Sequence, residues 1–131
     1  MLELSWGDIE TLSKQLVKSL EGTQWLGILA ITRGGLIPSG LLAQALNIRR
    51  IETINIQSYD QERGQSEMTI LNVPGIENDG ENWLVVDDLV DSGETIKAVK
   101  QYFPKAVYVV LIAKPKGLMA ADHYVQIVEQ N

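Results

Sequence analysis

The sequence contains no cysteine and a single histidine, His123. Disulfides and thiolate chemistry are therefore excluded, and a metal would have to be held through oxygen or by that one imidazole. Long apolar runs are missing as well. The longest mostly apolar stretch, Ala106 to Ala113, is far too short to cross a bilayer. Met1 to Trp6 has no basic segment leading into an apolar run, so no signal peptide is read there. A cytoplasmic protein without an integral membrane segment is expected. Basic residues are scarce in the middle of the chain. From Glu52 to Glu94 there are eleven acids and one base, Arg63. With a net charge of -6 the chain should repel nucleic acid, so no nucleic-acid partner is expected.

What is present describes one globular unit. The 131 residues are 45% apolar, enough for a single core, and residues 1–131 read as one domain. Ser5 followed by Asp8 resembles a capping box, and Ile9, Leu12, Leu16 and Leu20 continue at helical spacing. Trp25 to Ile31 reads as a buried strand. Leu36 to Leu46 reads as a helix with Leu41, Leu42, Ala45 and Leu46 on one face. Ile51 to Ile56 marks a second strand and Trp83 to Val86 a third. Thr95 to Phe103 is a helix, Val107 to Ala113 a β-branched strand, and His123 to Val128 a possible fifth strand. Ser58 to Gly80 is polar and turn-rich, and its length suggests a functional, mobile loop. Trp6, Trp25 and Trp83 read as packing anchors.

Strands separated by helices predict an α/β fold, a mostly parallel twisted sheet flanked by helices. Thr32-Arg33-Gly34-Gly35, Ser58-Tyr59-Asp60, Asp87 to Thr95 and Lys114 to Gly117 each follow a strand. The carboxyl ends of strands line the ligand crevice of such a sheet, so four separate segments are expected to meet at one site. Asp87 to Thr95 is the richest of them. Ser92, Gly93 and Thr95 would offer backbone N–H groups and two hydroxyls to a phosphate. Asp87 and Asp88 could hold ribose hydroxyls and a hydrated Mg²⁺. The competing view is an acidic first turn that only favours the helix dipole.

VVDDLVDSGET (residues 85–95) resembles the phosphoribosyl-pyrophosphate motif of type I phosphoribosyltransferases. ITRGGLIPSGLLAQALNIR, IQSYD and IAKPKG follow the order of the bacterial xanthine-guanine branch of that family, and the likeness runs from about Trp6 to Val128. The resemblance implies Mg²⁺-dependent transfer of phosphoribosyl from phosphoribosyl pyrophosphate to a purine base, giving a purine nucleoside monophosphate. It implies that Asp87, Asp88, Asp91, Ser92, Gly93, Glu94 and Thr95 bind the phosphoribosyl group, with Asp87 and Asp88 also toward the metal. Asp91 would be the general base facing purine N7, and Lys114 would read the 6-oxo group. Thr32, Arg33, Gly34 and Gly35 would form the pyrophosphate loop, with a cis peptide at Thr32–Arg33, and Arg63 would add a closing contact. Glu94 stands where many relatives have a small residue. The resemblance also implies a homodimer or homotetramer and, for this sequence, a short or missing C-terminal hood over the base. A second reading is a regulatory module that binds phosphoribosyl pyrophosphate or a nucleotide with weak or no catalysis.

Overall fold

The computed structural model describes residues 3–60 and 66–130. Helix α1 (Trp6–Leu20) starts at a capping box: Ser5 Oγ accepts from the Asp8 N–H at 3.0 Å, and the Ser5 N–H donates to Asp8 Oδ2 at 2.9 Å. It buries Leu12, Leu16 and Leu20, the stripe its spacing predicts. At its other end the Trp25 indole N–H donates to the Leu20 carbonyl at 2.8 Å, satisfying a helix-end acceptor.

Six strands follow: β1 (Gly27–Thr32), β2 (Ile51–Asp60), β3 (Ser66–Leu71), β4 (Trp83–Val90), β5 (Val107–Ala113) and β6 (Gln126–Ile127). They form one sheet in the order β3-β2-β1-β4-β5-β6, parallel throughout except for antiparallel β3. The sheet is thus the expected α/β architecture. Helix α2 (Leu36–Leu46) joins β1 to β2, and α3 (Glu94–Lys100) joins β4 to β5. The chain moves outward to one side after β1 and to the other after β4. Between these two strands lies the topological switch point, where a ligand crevice opens at the carboxyl ends.

Strand alternation divides the core into two layers. Ile28, Leu84, Val86, Val109 and Leu111 pack with Leu12, Leu16 and Leu42 on the α1/α2 face. Leu29, Val85, Tyr108 and Val110 pack with Ile96, Val99 and Phe103 on the α3 face. Both faces are covered, which is why these strands read as continuous apolar runs.

Four local expectations change. Helix α2 turns Ser39, Leu42 and Ala43 inward, while Ala45 is exposed and Leu41 half-buried. Because α2 is apolar nearly all round, periodicity could not select its face. The polar stretch 58–80 contains the end of β2, the whole of β3 and a 3₁₀ turn at Asn78–Gly80. The β2–β3 pairing forms an edge hairpin, whose polar composition resembles that of a loop. The fifth predicted strand is reduced to β6, with His123 making one isolated bridge to Val109. Trp83 is buried, but Trp6 is 72% exposed and anchors no packing. Among the described residues, no helix is long and apolar enough to cross a membrane.

Candidate active site

The site forms where β1 and β4 end. Strand β4 runs past the predicted Val86 to Val90, so Asp87 and Asp88 sit within its last turns of pleat. Successive side chains on a strand point to opposite faces. Asp87 accordingly lines a cavity of about 220 Å³ together with Asp91, Ser92, Gly93, Glu94 and Thr95. Asp88 lines a separate cleft on the α1/α2 side with Arg33 and Gly34.

The phosphate-type loop has the geometry its composition requires. Gly93 takes a left-handed φ of 90°, which a side chain would resist. A Cβ there would also approach the Ala120 Cβ to 2.9 Å. The following helix presents Glu94 and Thr95 to the same cavity. The Ser92 and Thr95 hydroxyls border the space together with three carboxylates, Asp87, Asp91 and Glu94.

The β1 loop is pressed against the carboxylates. The Thr32–Arg33 peptide is cis, as the resemblance implied. A Cβ on Gly34 would collide with the Asp88 carboxylate, and one on Gly35 would collide with the Val86 carbonyl. Both positions therefore need glycine for close backbone approach. Thr32 Oγ1 donates to the Ile54 carbonyl at 3.2 Å, tying the loop to β2.

Burial raises the Asp87 carboxyl to about 8, with further upward pushes from a hydrogen bond to Asp88 and from its charge. Its Oδ1 accepts the Asp88 N–H at 2.9 Å. A cation placed beside the Asp87 carboxyl would favour its charged form and oppose that shift. Among the described residues no group of three or more acidic or imidazole side chains could enclose a metal.

On the far rim, Lys114 follows β5 and is 17% exposed. Its Nζ lies 3.7 Å from Asp91 Oδ2. A short 3₁₀ turn, Pro115–Ala120, packs beneath Asp91, and a Cβ on Gly117 would approach the Asp91 carbonyl to 2.7 Å. Lys100 Nζ donates to the Ala120 carbonyl at 2.9 Å, fastening that turn to α3.

Asp87, Asp91, Ser92, Gly93, Glu94 and Thr95 are thus brought together, with Lys114 beside Asp91. Asp88, Arg33 and Gly34 border the neighbouring cleft. Arg63 lies outside the described residues. Sequence reading missed Met68, which lines the cavity from β3, and Gln130, which hydrogen-bonds Asp91. Alternation along β3 could have flagged Met68. No local signal marks Gln130.

The fold and this loop set are those of a pentosyl-transfer enzyme class. A family model described as "Phosphoribosyl transferase domain" matches residues 3–131, and the chain belongs to the phosphoribosyltransferase family. The xanthine-guanine phosphoribosyltransferase of Vibrio atlanticus is 41% identical over 129 residues, covering 98% of this chain and 82% of that protein. Among solved structures, a purine phosphoribosyltransferase from Pyrococcus horikoshii is 25% identical with a TM-score of 0.81, covering 98% of this chain and 89% of its own. A Helicobacter pylori xanthine-guanine-hypoxanthine phosphoribosyltransferase is 28% identical with a TM-score of 0.77, covering 97% of this chain and 85% of its own.

Proposed function

We infer that this chain transfers the phosphoribosyl group from phosphoribosyl pyrophosphate to a 6-oxopurine in purine salvage. Purine N9 attacks C1 of the sugar, the C1–O bond to pyrophosphate breaks, and a nucleoside monophosphate and pyrophosphate leave. The observation that carries this reading is the pairing of two chemistries on one rim. The 220 Å³ cavity with Ser92, Gly93 and Thr95 suits a sugar phosphate, and Lys114 with Asp91 stands at its edge.

Each residue has a separate task. Ser92, Gly93, Glu94 and Thr95 bind the 5′-phosphate, and Asp87 and Asp88 hold the ribose hydroxyls. Asp91 faces purine N7 and takes its proton as positive charge builds on the ring. Lys114 donates to the 6-oxo oxygen. Adenine offers an amino group there, which donates too, so Lys114 disfavours it. Thr32, Arg33, Gly34 and Gly35 bind the pyrophosphate. Asp87 and Asp88 are the residues that would hold Mg²⁺, which would supply positive charge against the diphosphate. The remaining acceleration comes from holding nucleophile and sugar in line and from charges fixed around the developing sugar cation. Arg63, the one cation between Glu52 and Glu94, would add a closing contact that helps exclude water from this centre. A homo-oligomer in the cytoplasm fits the same reading.

The Asp91→Asn variant tests the assignment. Turnover should fall by about 10²–10⁴-fold, the range for a lost general base, while affinity for guanosine monophosphate changes little. Equal loss of both would reject the base role. Tight nucleotide binding by the native chain with no turnover would favour a regulatory module instead.

A further inference from the structure

Gln130 lies 39 positions beyond Asp91 in the chain, yet its side chain makes two hydrogen bonds inside the site. Its Nε2 donates to Asp91 Oδ1 at 2.5 Å. Its Oε1 accepts the backbone N–H of Lys116 at 2.9 Å. The second Asp91 oxygen, Oδ2, faces Lys114 Nζ at 3.7 Å. The carboxylate is therefore gripped at both oxygens, by a cation on one side and a neutral amide on the other.

These two grips are not equivalent. The backbone under Asp91 is fixed by the close approach of Gly117, but the Asp91 side chain is 58% exposed and would otherwise rotate in solvent. Lys114 is the group proposed to contact the purine, and a base that recruits it weakens its hold on Asp91. Gln130 carries no charge and is already committed to Lys116, so its hold on Oδ1 persists when Lys114 turns to the base. One amide thus fixes the direction of the remaining Asp91 oxygen and its distance from the Lys114–Lys116 segment. An ordered, charge-assisted bond of this kind removes rotamer freedom before the substrate arrives.

We propose that Gln130 is a positioning residue for the transfer reaction, acting through Asp91 to aim its free oxygen at the purine. This rests on the reading of Asp91 as the base. Gln130 is partly exposed at the edge of the fold, so its replacement should leave the chain folded, and a thermal melt verifies that.

The test is a double-mutant cycle with Gln130→Ala and Asp91→Asn, measured as kcat and KM for hypoxanthine and as the Kd for phosphoribosyl pyrophosphate with Mg²⁺. Gln130→Ala should lower kcat/KM for the purine by roughly tenfold and leave the Kd for phosphoribosyl pyrophosphate within about twofold. In the Asp91→Asn background the same change should cost almost nothing, because the group it positions no longer acts. Gln130→Glu, of similar size but without the donor, should be worse than alanine because it sets two carboxylates together. A full, additive loss in the Asp91→Asn background would overturn the proposal, as would no loss in the single variant. A changed preference among guanine, xanthine and hypoxanthine with additive losses would overturn it too, since Gln130 would then touch the base itself. If Asp91→Asn alone leaves kcat intact, the base assignment fails, and the positioning role fails with it. A large Asp91→Asn loss beside an inert Gln130→Ala rejects only the positioning role.

Discussion

Lys114 Nζ stands 3.7 Å from Asp91 Oδ2, although the two residues leave different strands of the sheet. Parallel β4 and β5 pair in register from Leu84 with Val107 to Val90 with Ala113, so their carboxyl ends finish side by side. The proposed purine-reading cation and the proposed base therefore reach the same rim without any long side-chain excursion. In the free protein the two charges face each other, and under the proposed function an incoming base would replace that contact with two of its own.

This arrangement predicts a selective defect. Lys114→Met keeps the stem of the side chain and removes the charge. KM for 6-oxopurines should rise by about 10–100-fold, the equivalent of one charged hydrogen bond of about 1.5–3 kcal/mol. Binding of phosphoribosyl pyrophosphate should be unchanged. Steady-state kinetics beside calorimetry checks both, and a matched loss of the two affinities would place Lys114 elsewhere in the cycle.

The half-buried Asp87 carboxyl predicts a separation between folding and ligand response. Asp87→Asn removes a group that burial holds up near 8, so the free chain should be at least as stable as before. The rise in Tm produced by Mg²⁺ with phosphoribosyl pyrophosphate should shrink by about half or more, because stabilisation by a ligand follows its affinity. Thermal melts with and without the two ligands measure this. An undiminished rise would exclude Asp87 from the metal and ribose contacts.

Much of the site was legible because α/β sheets put chemistry at strand ends. The glycines at 34, 35 and 93 and the acids at 87, 88 and 91 are local in sequence, and each sits where a strand gives way to its connection. The cis bond at Thr32–Arg33 followed from the family likeness rather than from periodicity. What stayed hidden depends on tertiary context. Helix α2 has Leu36 and Ile37 exposed while Ser39 is buried, the reverse of a hydropathy ranking. Strand β3 is an edge strand whose polarity mimics a loop. The Gln130 contact joins residues 39 positions apart in the chain, and no spacing rule connects them.

Ser13 in α1 and Ser39 in α2 are buried, and neither hydroxyl has a hydrogen-bond partner. Each hydroxyl therefore contributes a desolvation cost with no hydrogen bond to offset it. Ser39→Ala should stabilise the chain by about 0.5–1 kcal/mol, through that cost and through better helix propensity. Urea unfolding reads this directly, and a loss of stability would mean the hydroxyl is satisfied in solution.

Tyr108 predicts the alkaline limit. Its ring is fully buried, its hydroxyl donates to the Phe103 carbonyl at 2.8 Å, and burial followed by the Asp122 charge pushes its phenol well above the usual value. A group raised on folding contributes stability that is complete below the unfolded value, about pH 10 for tyrosine, and is lost as pH climbs beyond it. Tyr108→Phe should cost about 1 kcal/mol at neutral pH through the lost hydrogen bond. Above about pH 10 its stability should fall less steeply than that of the native chain. Parallel curves for the two proteins would show that the phenol ionises equally in both states.

The most direct measurement is chromatographic conversion of guanine, xanthine, hypoxanthine and adenine incubated with phosphoribosyl pyrophosphate and Mg²⁺. The account predicts nucleoside monophosphate and equimolar pyrophosphate from at least one of the three 6-oxopurines, with adenine inert. Adenine consumed in preference, or no nucleotide from any base while phosphoribosyl pyrophosphate remains intact, would contradict it.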